Sequence, residues 1–528
     1  MKSFHLSRKS CASWEIYFLI PLIFNKREMV KVFLIIFLLS IQFLFAQKYD
    51  NIWVFGNASN ETPALNGEIN FQTGTPVLSQ YVKSIGYQYC NAAVCDSLGN
   101  LQLCTNGYYV YNTNNQMIQN GNYMCLGNTC EQNNTNTMKY GYNAPQSHLF
   151  LPKGNQKQYY LFQEVFDWVT VTGGVMVKNV RLLYSVINTN VGQEKITKKH
   201  QIIINDTISG WFLTSVKHAN GKDWWIIMPR VETDIYYRIL VTTDSVYPPQ
   251  TQRLAPTLPN YHAGYAVFTP DGKQYIRYEN GHVGDDRIYI YDFDRCTGLL
   301  SNPLIFKTYP MTNMYPYSLA ISANSKYMYI GLGDKIDQYN ISLPHTSIES
   351  SRTTVFVRDS TYILPNLGIP EYVSLCSALA PDNKIYFWNG CERFHVIQNP
   401  DSGGLACNVQ ANAFSIPYVT YQRFSFTNYP NFRLGAEPCY PTEIVKEEGI
   451  RKEVSVYPNP TSGILQLRFS EATRERGRLY VRDMYGREVA SYEIAENTQE
   501  FEFDTQKWAE EVYYLSFGEM GAKFVVSR

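Results

Sequence analysis

Charge is what this sequence has least of. Lys and Arg number 46, Asp and Glu also 46, and only 17% of the 528 residues are charged. Balanced, sparse charge provides no basic field for a polyphosphate backbone and no acidic tail, so nucleic-acid binding is set aside. No long stretch carries the 3.6-residue apolar period of an amphipathic helix, which points away from helical architecture. G-x-S-x-G, H-E-x-x-H and Walker-type loops are all missing, so neither a catalytic triad nor a nucleotide site can be read from the chain. There is no C-x-x-C pair either, and no His stands at finger spacing from the cysteines, which disfavours structural zinc.

Tyrosine is abundant, with 42 residues, and aromatics reach 15%. A Tyr ring suits a pleated, half-buried surface with its hydroxyl wet, so the excess argues for β structure. At 45% hydrophobic the composition is foldable. The length exceeds a single ordinary core, so two domains or one large repeat array are expected.

Residues 1–46 read as a targeting segment. Met29-Val30-Lys31 gives a short basic start, Val32 to Phe45 an apolar core, and Phe45-Ala46 a cleavage edge before Gln47. The apolar run is shorter than the ~20 residues that a spanning helix needs, although an uncleaved anchor is the alternative. The second apolar patch, Ile16 to Phe24, makes Met29 the expected true start.

Of eleven cysteines only Cys11 lies in that leader, leaving an even number in an exported chain. Disulfides are therefore expected, with Cys90, Cys95, Cys104, Cys125 and Cys130 as the crowded candidates.

A repeated β–turn–β pattern fills residues 90–390. Its turns fall at Gly99-Asn100, Gly154-Asn155, Asn220-Gly221, Asp271-Gly272, Asn324-Ser325 and Asp382-Asn383. Each is flanked by apolar runs such as Ala266-Val267-Phe268 and Gln274-Tyr275-Ile276. Asx-Gly pairs supply the positive φ that tight hairpins demand. The spacing accommodates a four-stranded blade with loops, and radial closure protects the edges of many short strands. An all-β fold is expected: a β-propeller over residues 47–435, with seven blades favoured and six the alternative. Ile52-Trp53-Val54-Phe55 and the segment near Tyr429 to Leu434 are expected to make or close a further blade.

Thr269-Pro270-Asp271-Gly272-Lys273 and Ala380-Pro381-Asp382-Asn383-Lys384 resemble the S-P-D-G-K turn of lactonase-like and WD40-like propellers. Trp53 to Asn57, Val216 to Gly221, Asp292-Phe293-Asp294 with Thr297-Gly298, and Ile336 to Tyr339 resemble exported propeller proteins of gliding-type gram-negative bacteria. This resemblance implies the fold and says almost nothing about chemistry.

Residues 436–453, with Pro438, Pro441 and the charged runs Lys446-Glu447-Glu448 and Arg451-Lys452-Glu453, read as a linker. A small β-sandwich is expected over 454–528. Its opening Tyr457-Pro458-Asn459-Pro460 to Gly463 resembles the Y-P-N-P-x-x-G start of the type A sorting domain of the type IX secretion system. Asp483, Gly486 and Arg487 resemble that domain's D-x-x-G-R hairpin, while Glu511 departs from the usual Gly before V-Y. The resemblance implies the type IX machinery as partner, passage through the periplasm of a gram-negative bacterium, and release or attachment at the outer surface.

Counted back from the turns, Gln146, Thr214, His262, Tyr317 and Glu371 stand at the entries to the innermost strands, where propellers present their ligand mouth. This polar and aromatic set suits an extracellular glycan or protein ligand, or simply lines a water-filled channel. His218 reads as a turn-bonding residue, and His282 with Asp285-Asp286 as a solvated loop. No metal site and no cofactor are expected, with calcium left open. The leading function is a monomeric binding or adhesion protein. The alternative is a hydrolase or lactonase with a channel-bound divalent metal, for which Glu371 is the only acid in the set.

Overall fold

The computed structural model describes residues 48–528 apart from 58–64, 83–85, 88–89, 132–140, 143, 155–156, 172–173, 191, 255–263, 280–285, 309–317, 362, 364–375, 389–392, 417–424, 440–453, 474–475, 485 and 519. Seven antiparallel sheets follow one another along residues 52–415, each a meander of consecutive strands. Blades 1 (52–82) and 2 (92–112) show three strands. Blades 3 (148–208), 4 (215–253), 5 (264–307), 6 (319–357) and 7 (377–415) show four.

The six repeated turns all join the innermost strand of a blade to its neighbour, in blades 2 to 7. In blades 4 to 7 their chemistry is shared. At blade 5, Gly272 holds φ +73° and donates to Thr269 O, while Lys273 N–H donates to Asp271 Oδ1 at 3.1 Å. Blades 6 and 7 repeat this with Lys326 on Asn324 Oδ1 and Lys384 on Asp382 Oδ1, each also at 3.1 Å. An Asx side chain thus nucleates the turn, and the following position adopts the left-handed region.

Burial runs outward in a gradient. The second strand of blade 4, Trp224–Pro229, is buried throughout, whereas its outermost strand, Gln250–Arg253, is nearly all exposed. Strands covered on both faces need apolar residues at every position, so period-two alternation disappears there. Apolar clusters fill the gaps between blades. Tyr275 packs toward Trp225 and Tyr236 of blade 4, while the next residue, Ile276, packs toward Met328 and Ile330 of blade 6. Trp53 and Phe55 of blade 1 meet Tyr386, Trp388 and Phe394 of blade 7, which closes the ring. Trp53 makes edge contacts with Tyr386 and Phe426. Offset and edge arrangements of this kind add to plain area burial.

Among the described residues, no blade borrows a strand from the other end of the chain. Instead, residues 425–439 leave blade 7, form no strand, and cross the centre of the ring; the expected extra blade near Tyr429 to Leu434 is this strap. Its polar groups are satisfied by one blade after another. Thr427 Oγ1 accepts from Val54 N–H at 3.1 Å, and Tyr429 donates to Ile52 O at 2.6 Å. Asn428 N–H donates to Asn91 O, and its side-chain amide to both His148 O and Leu213 O, at 2.8 and 2.9 Å. Asn428 alone therefore ties blade 2 to the strands entering blades 3 and 4. Asn431 donates to Pro270 O, Arg433 forks onto Asp50, and Arg295 donates to Gly435 O. Residues 436–439, expected to begin the linker, still belong to the body: Glu437 N–H donates to Ala219 O, and Cys439 is joined to Cys296.

Two turn glycines make room for this path. A Cβ at Gly221 would lie 2.9 Å from Ala436 N, and one at Gly272 would lie 2.7 Å from Leu434 Cδ2 and Arg295 Cδ. Both residues also hold positive φ, so side chains are excluded there twice over.

The C-terminal part is a sandwich of a three-stranded and a four-stranded sheet. Ile464–Phe469 alternates exposed and buried, sending Leu465, Leu467 and Phe469 into a core shared with Leu479, Val481, Leu515 and Phe524.

Candidate functional site

The strap covers the ring's centre on the side of blades 1 to 4. Beside it remains a cavity of about 400 Å³, walled by the innermost strands and turns of blades 5, 6 and 7. Small or short side chains there (Val267, Ala320, Ala378, Ala380) leave the space, and Trp53 and Tyr265 add aromatic surface. Its hydrogen-bonding groups come from Thr214, Ser215, Ser377, Asn383 and the strap. Ser215 Oγ and Ser377 Oγ are buried and have no hydrogen-bond partner. The carboxylate of Asp50 is held bidentately by Arg433, so the one ion pair among the described lining residues is closed on itself.

Gln146 and Thr214 of the expected mouth both line this cavity. The Gln146 amide is already used: it donates to Ala266 O at 2.7 Å and accepts from Ala266 N–H at 2.9 Å, bridging blades 3 and 5. His262, Tyr317 and Glu371 lie outside the described residues, as do His282 and Asp285. Asp286 accepts from Tyr278 OH at 2.8 Å within the body. His218 is a turn residue: Nδ1 accepts from Asn220 N–H, and Nε2 donates to Cys296 O. Among the described residues, no group of three His, Cys, Asp or Glu side chains is placed to share a metal ion.

One cluster has the residue types of a nucleophilic site. Cys90 Sγ and Ser147 Oγ lie 3.1 and 2.9 Å from His148 Nδ1. Burial decides its chemistry. It pushes the Cys90 thiol up to about 12 and the His148 imidazole down to about 3, so both are neutral at pH 7 and no thiolate forms. The cluster is packing, and it makes stability acid-sensitive. His148 takes its proton near pH 6.5 when unfolded but only near pH 3 when folded, so protons favour the unfolded chain across that window. Stability should fall with decreasing pH by about 1.4 kcal/mol per unit from this residue. Unfolding rates measured between pH 6.5 and 4 should rise less steeply for His148→Asn than for the parent; equal slopes would refute the assignment.

Cys125 and Cys130 are paired, whereas Cys90, Cys95 and Cys104 are buried thiols, which corrects the wider disulfide expectation. Cys95 and Cys104 sit on blade 2 strands that face the cluster between blades 1 and 2, where each packs as a small apolar residue. The pair that the sequence reading missed, Cys296–Cys439, links a blade 5 turn to the strap across 143 residues.

In the sandwich, the motif residues hold the ends of the domain together. Asn459 accepts from Val525 N–H at 2.9 Å and donates to Lys523 O at 3.1 Å, fastening the opening segment to the last strand. Gly463 O accepts from both the N–H and the hydroxyl of Thr505. Asp483 is buried; its carboxylate accepts from Arg487 N–H at 3.0 Å and pairs with the Arg487 guanidinium around Gly486, which holds φ +79°. Tyr457 remains 41% exposed. Residues 455–527 match the family model of the secretion system C-terminal sorting domain. The tail is a secretion sorting domain. A chain that carries this sorting domain is exported by the type IX route to the cell surface or beyond, and the type IX machinery is its partner.

For the body, no curated protein matches the chain by sequence. Among solved structures, it is similar to the periplasmic gluconolactonase PpgL of Pseudomonas aeruginosa, at 12% identity over 85% of this chain and 99% of that one, with a TM-score of 0.32. Similarity to TolB from Acinetobacter baumannii is 10% identity over 72% and 83%, with a TM-score of 0.27. AofleA from Arthrobotrys oligospora gives 8% identity over 74% and 92%, with a TM-score of 0.30. Similarity this low bears on neither fold nor chemistry. The propeller rests on the seven sheets and their ring of interblade clusters.

Proposed function

We propose that the protein is an exported recognition module whose propeller cavity binds a neutral, polyhydroxylated group such as a terminal sugar of an extracellular glycan. One observation carries this reading: the described cavity lining offers neutral hydrogen-bonding residues, Thr214 and Asn383 among them, while the nearby Asp50–Arg433 pair satisfies itself. Neutral hydroxyl and amide groups both donate and accept, which matches a ligand bearing hydroxyls. The volume falls within the range of small-ligand sites, and Tyr265 adds a half-buried ring to the lining. A closed propeller holds these groups rigidly, which lowers the ordering cost of binding.

Calorimetric titration of the purified chain with neutral mono- and oligosaccharides tests this. Thr214→Val and Asn383→Gly should each weaken binding by about threefold to tenfold, the worth of one hydrogen bond. Absence of binding by every neutral saccharide at millimolar concentration would overturn the proposal. Turnover of lactones or glycosides by the same preparation, with or without calcium, would replace it with the hydrolase reading.

A further inference from the structure

The strap lies between the last blade and the sorting domain, so anything acting on that domain pulls on the body through Cys439. We propose that the Cys296–Cys439 disulfide is a load-diverting latch: it passes tension from the sorting domain directly to the blade 5 turn and keeps it off the strap.

Chain connectivity makes the argument. Without the disulfide, a pull at Cys439 would reach the strap first. There it would meet separate contacts in series: Glu437 on Ala219 and Arg295, Arg295 on Gly435, Arg433 on Asp50, Asn431 on Pro270, then Asn428. A row of non-covalent contacts loaded end to end opens one at a time, each at low force. Asn428, Asn431, Arg433 and Gly435 wall the cavity, and the strap joins blade 1 to blades 2, 3 and 4, so peeling it would open both the site and the ring. With the disulfide in place, tension goes from Cys439 to Cys296, which follows the strand Arg287–Asp294 of blade 5. That strand is paired on both sides and mostly buried. The turn itself is braced, with Cys296 N–H donating to Asp294 Oδ1 and Trp225 Nε1–H donating to Arg295 O. Blades 6 and 7 and the strap then lie inside a covalent loop that carries no tension.

Single-molecule stretching of the full chain between handles at its two ends tests this directly. Oxidised protein should show no low-force step of the strap's size before the blades rupture, the sorting domain in series opening alike in both redox forms. Its final extension should be shorter than that of reduced protein by about 480 Å, the contour of the 143 residues within the loop at ~3.4 Å each. Reduction of the folded protein, or the variant Cys296→Ser/Cys439→Ser, should add an early low-force step as residues 425–439 peel away. Using reduction as well as substitution keeps the test valid even if the variant fails to fold. A low-force step of the same size in oxidised protein would overturn the proposal, as would peptide mapping that finds Cys296 and Cys439 as thiols in the exported protein.

Discussion

Removal of residues 454–528 should abolish surface delivery while leaving the propeller folded. The sorting domain has its own core, in which Leu465, Leu467, Val481, Leu515 and Phe524 pack among themselves, and the body's last bonds to its own ring end at Glu437 and Cys439. Export therefore depends on a unit with a core of its own, whose loss takes from the propeller surface contacts such as that of Tyr247 with Arg487 and leaves its interblade clusters whole. Fractionation of cells producing the truncated chain should show the body in the periplasm and a more than tenfold loss from the surface. Protease resistance of that retained body would show that it has folded. Unchanged delivery would refute the assignment of the tail as the export signal. Within the tail, Asp483→Ala should mimic much of the deletion, because the guanidinium and the backbone amide of Arg487 both bond this buried carboxylate. Tyr457→Ala should leave the domain folded, since that ring is substantially exposed.

Arg433→Ala should be among the most damaging single substitutions in the body, at about 3 kcal/mol. It leaves the Asp50 carboxylate, 11% exposed, without its bidentate partner. Breaking a pair in this way costs more than the pair itself contributes, because a buried charge is left uncompensated. Asp50→Asn in the same background should recover much of the loss, since the neutral amide has no charge to compensate. Rates of irreversible thermal unfolding for the two single variants and the double variant would give the coupling. If the double variant unfolds as fast as Arg433→Ala, the damage does not come from the uncompensated charge. Hydrogen exchange of residues 431–435 should accelerate in Arg433→Ala even with the disulfide intact, because the strap then has no side-chain anchor between Asn431 and Gly435.

Much of the ring is legible in the chain because its signals are local. Each Asx-Gly or Asx-Asn turn bonds atoms within five residues of one another, as Thr269 does with Asp271 and Gln274, so reading the turns identifies the innermost hairpins of blades 2 to 7. The sorting domain is legible for the same reason: Asp483 and Arg487 are four residues apart. The strap is not legible. Its bonds reach partners 140 to 383 residues away, from Arg295 with Gly435 to Arg433 with Asp50, and an irregular segment has no periodicity to reveal it. Cysteine spacing misled because crowding in sequence is not proximity of sulfurs. Cys95 and Cys104 occupy strand positions that face the core, a signal available from the flanking Ala93-Val94 and Leu101–Leu103 pattern. Cys296 and Cys439, by contrast, lie in turn and loop sequence far apart. Of the mouth residues, Thr214 and Gln146 follow from counting back along the strands, but only the folded ring shows the Gln146 amide committed to Ala266.

Every blade is one uninterrupted stretch of chain, and the strap touches fixed points on blades 1 to 5. In principle, whole-blade duplication could enlarge such a ring without cutting a sheet. The strap prevents it here, because it is a caliper of set length: Asn428 must reach His148 O and Leu213 O at once while Arg433 still reaches Asp50. An eighth blade would widen the circle and pull those points out of reach. Tolerance to inserted sequence should therefore be high in the outer loops and absent for whole blades, so that this architecture can diversify its rim but is fixed at seven.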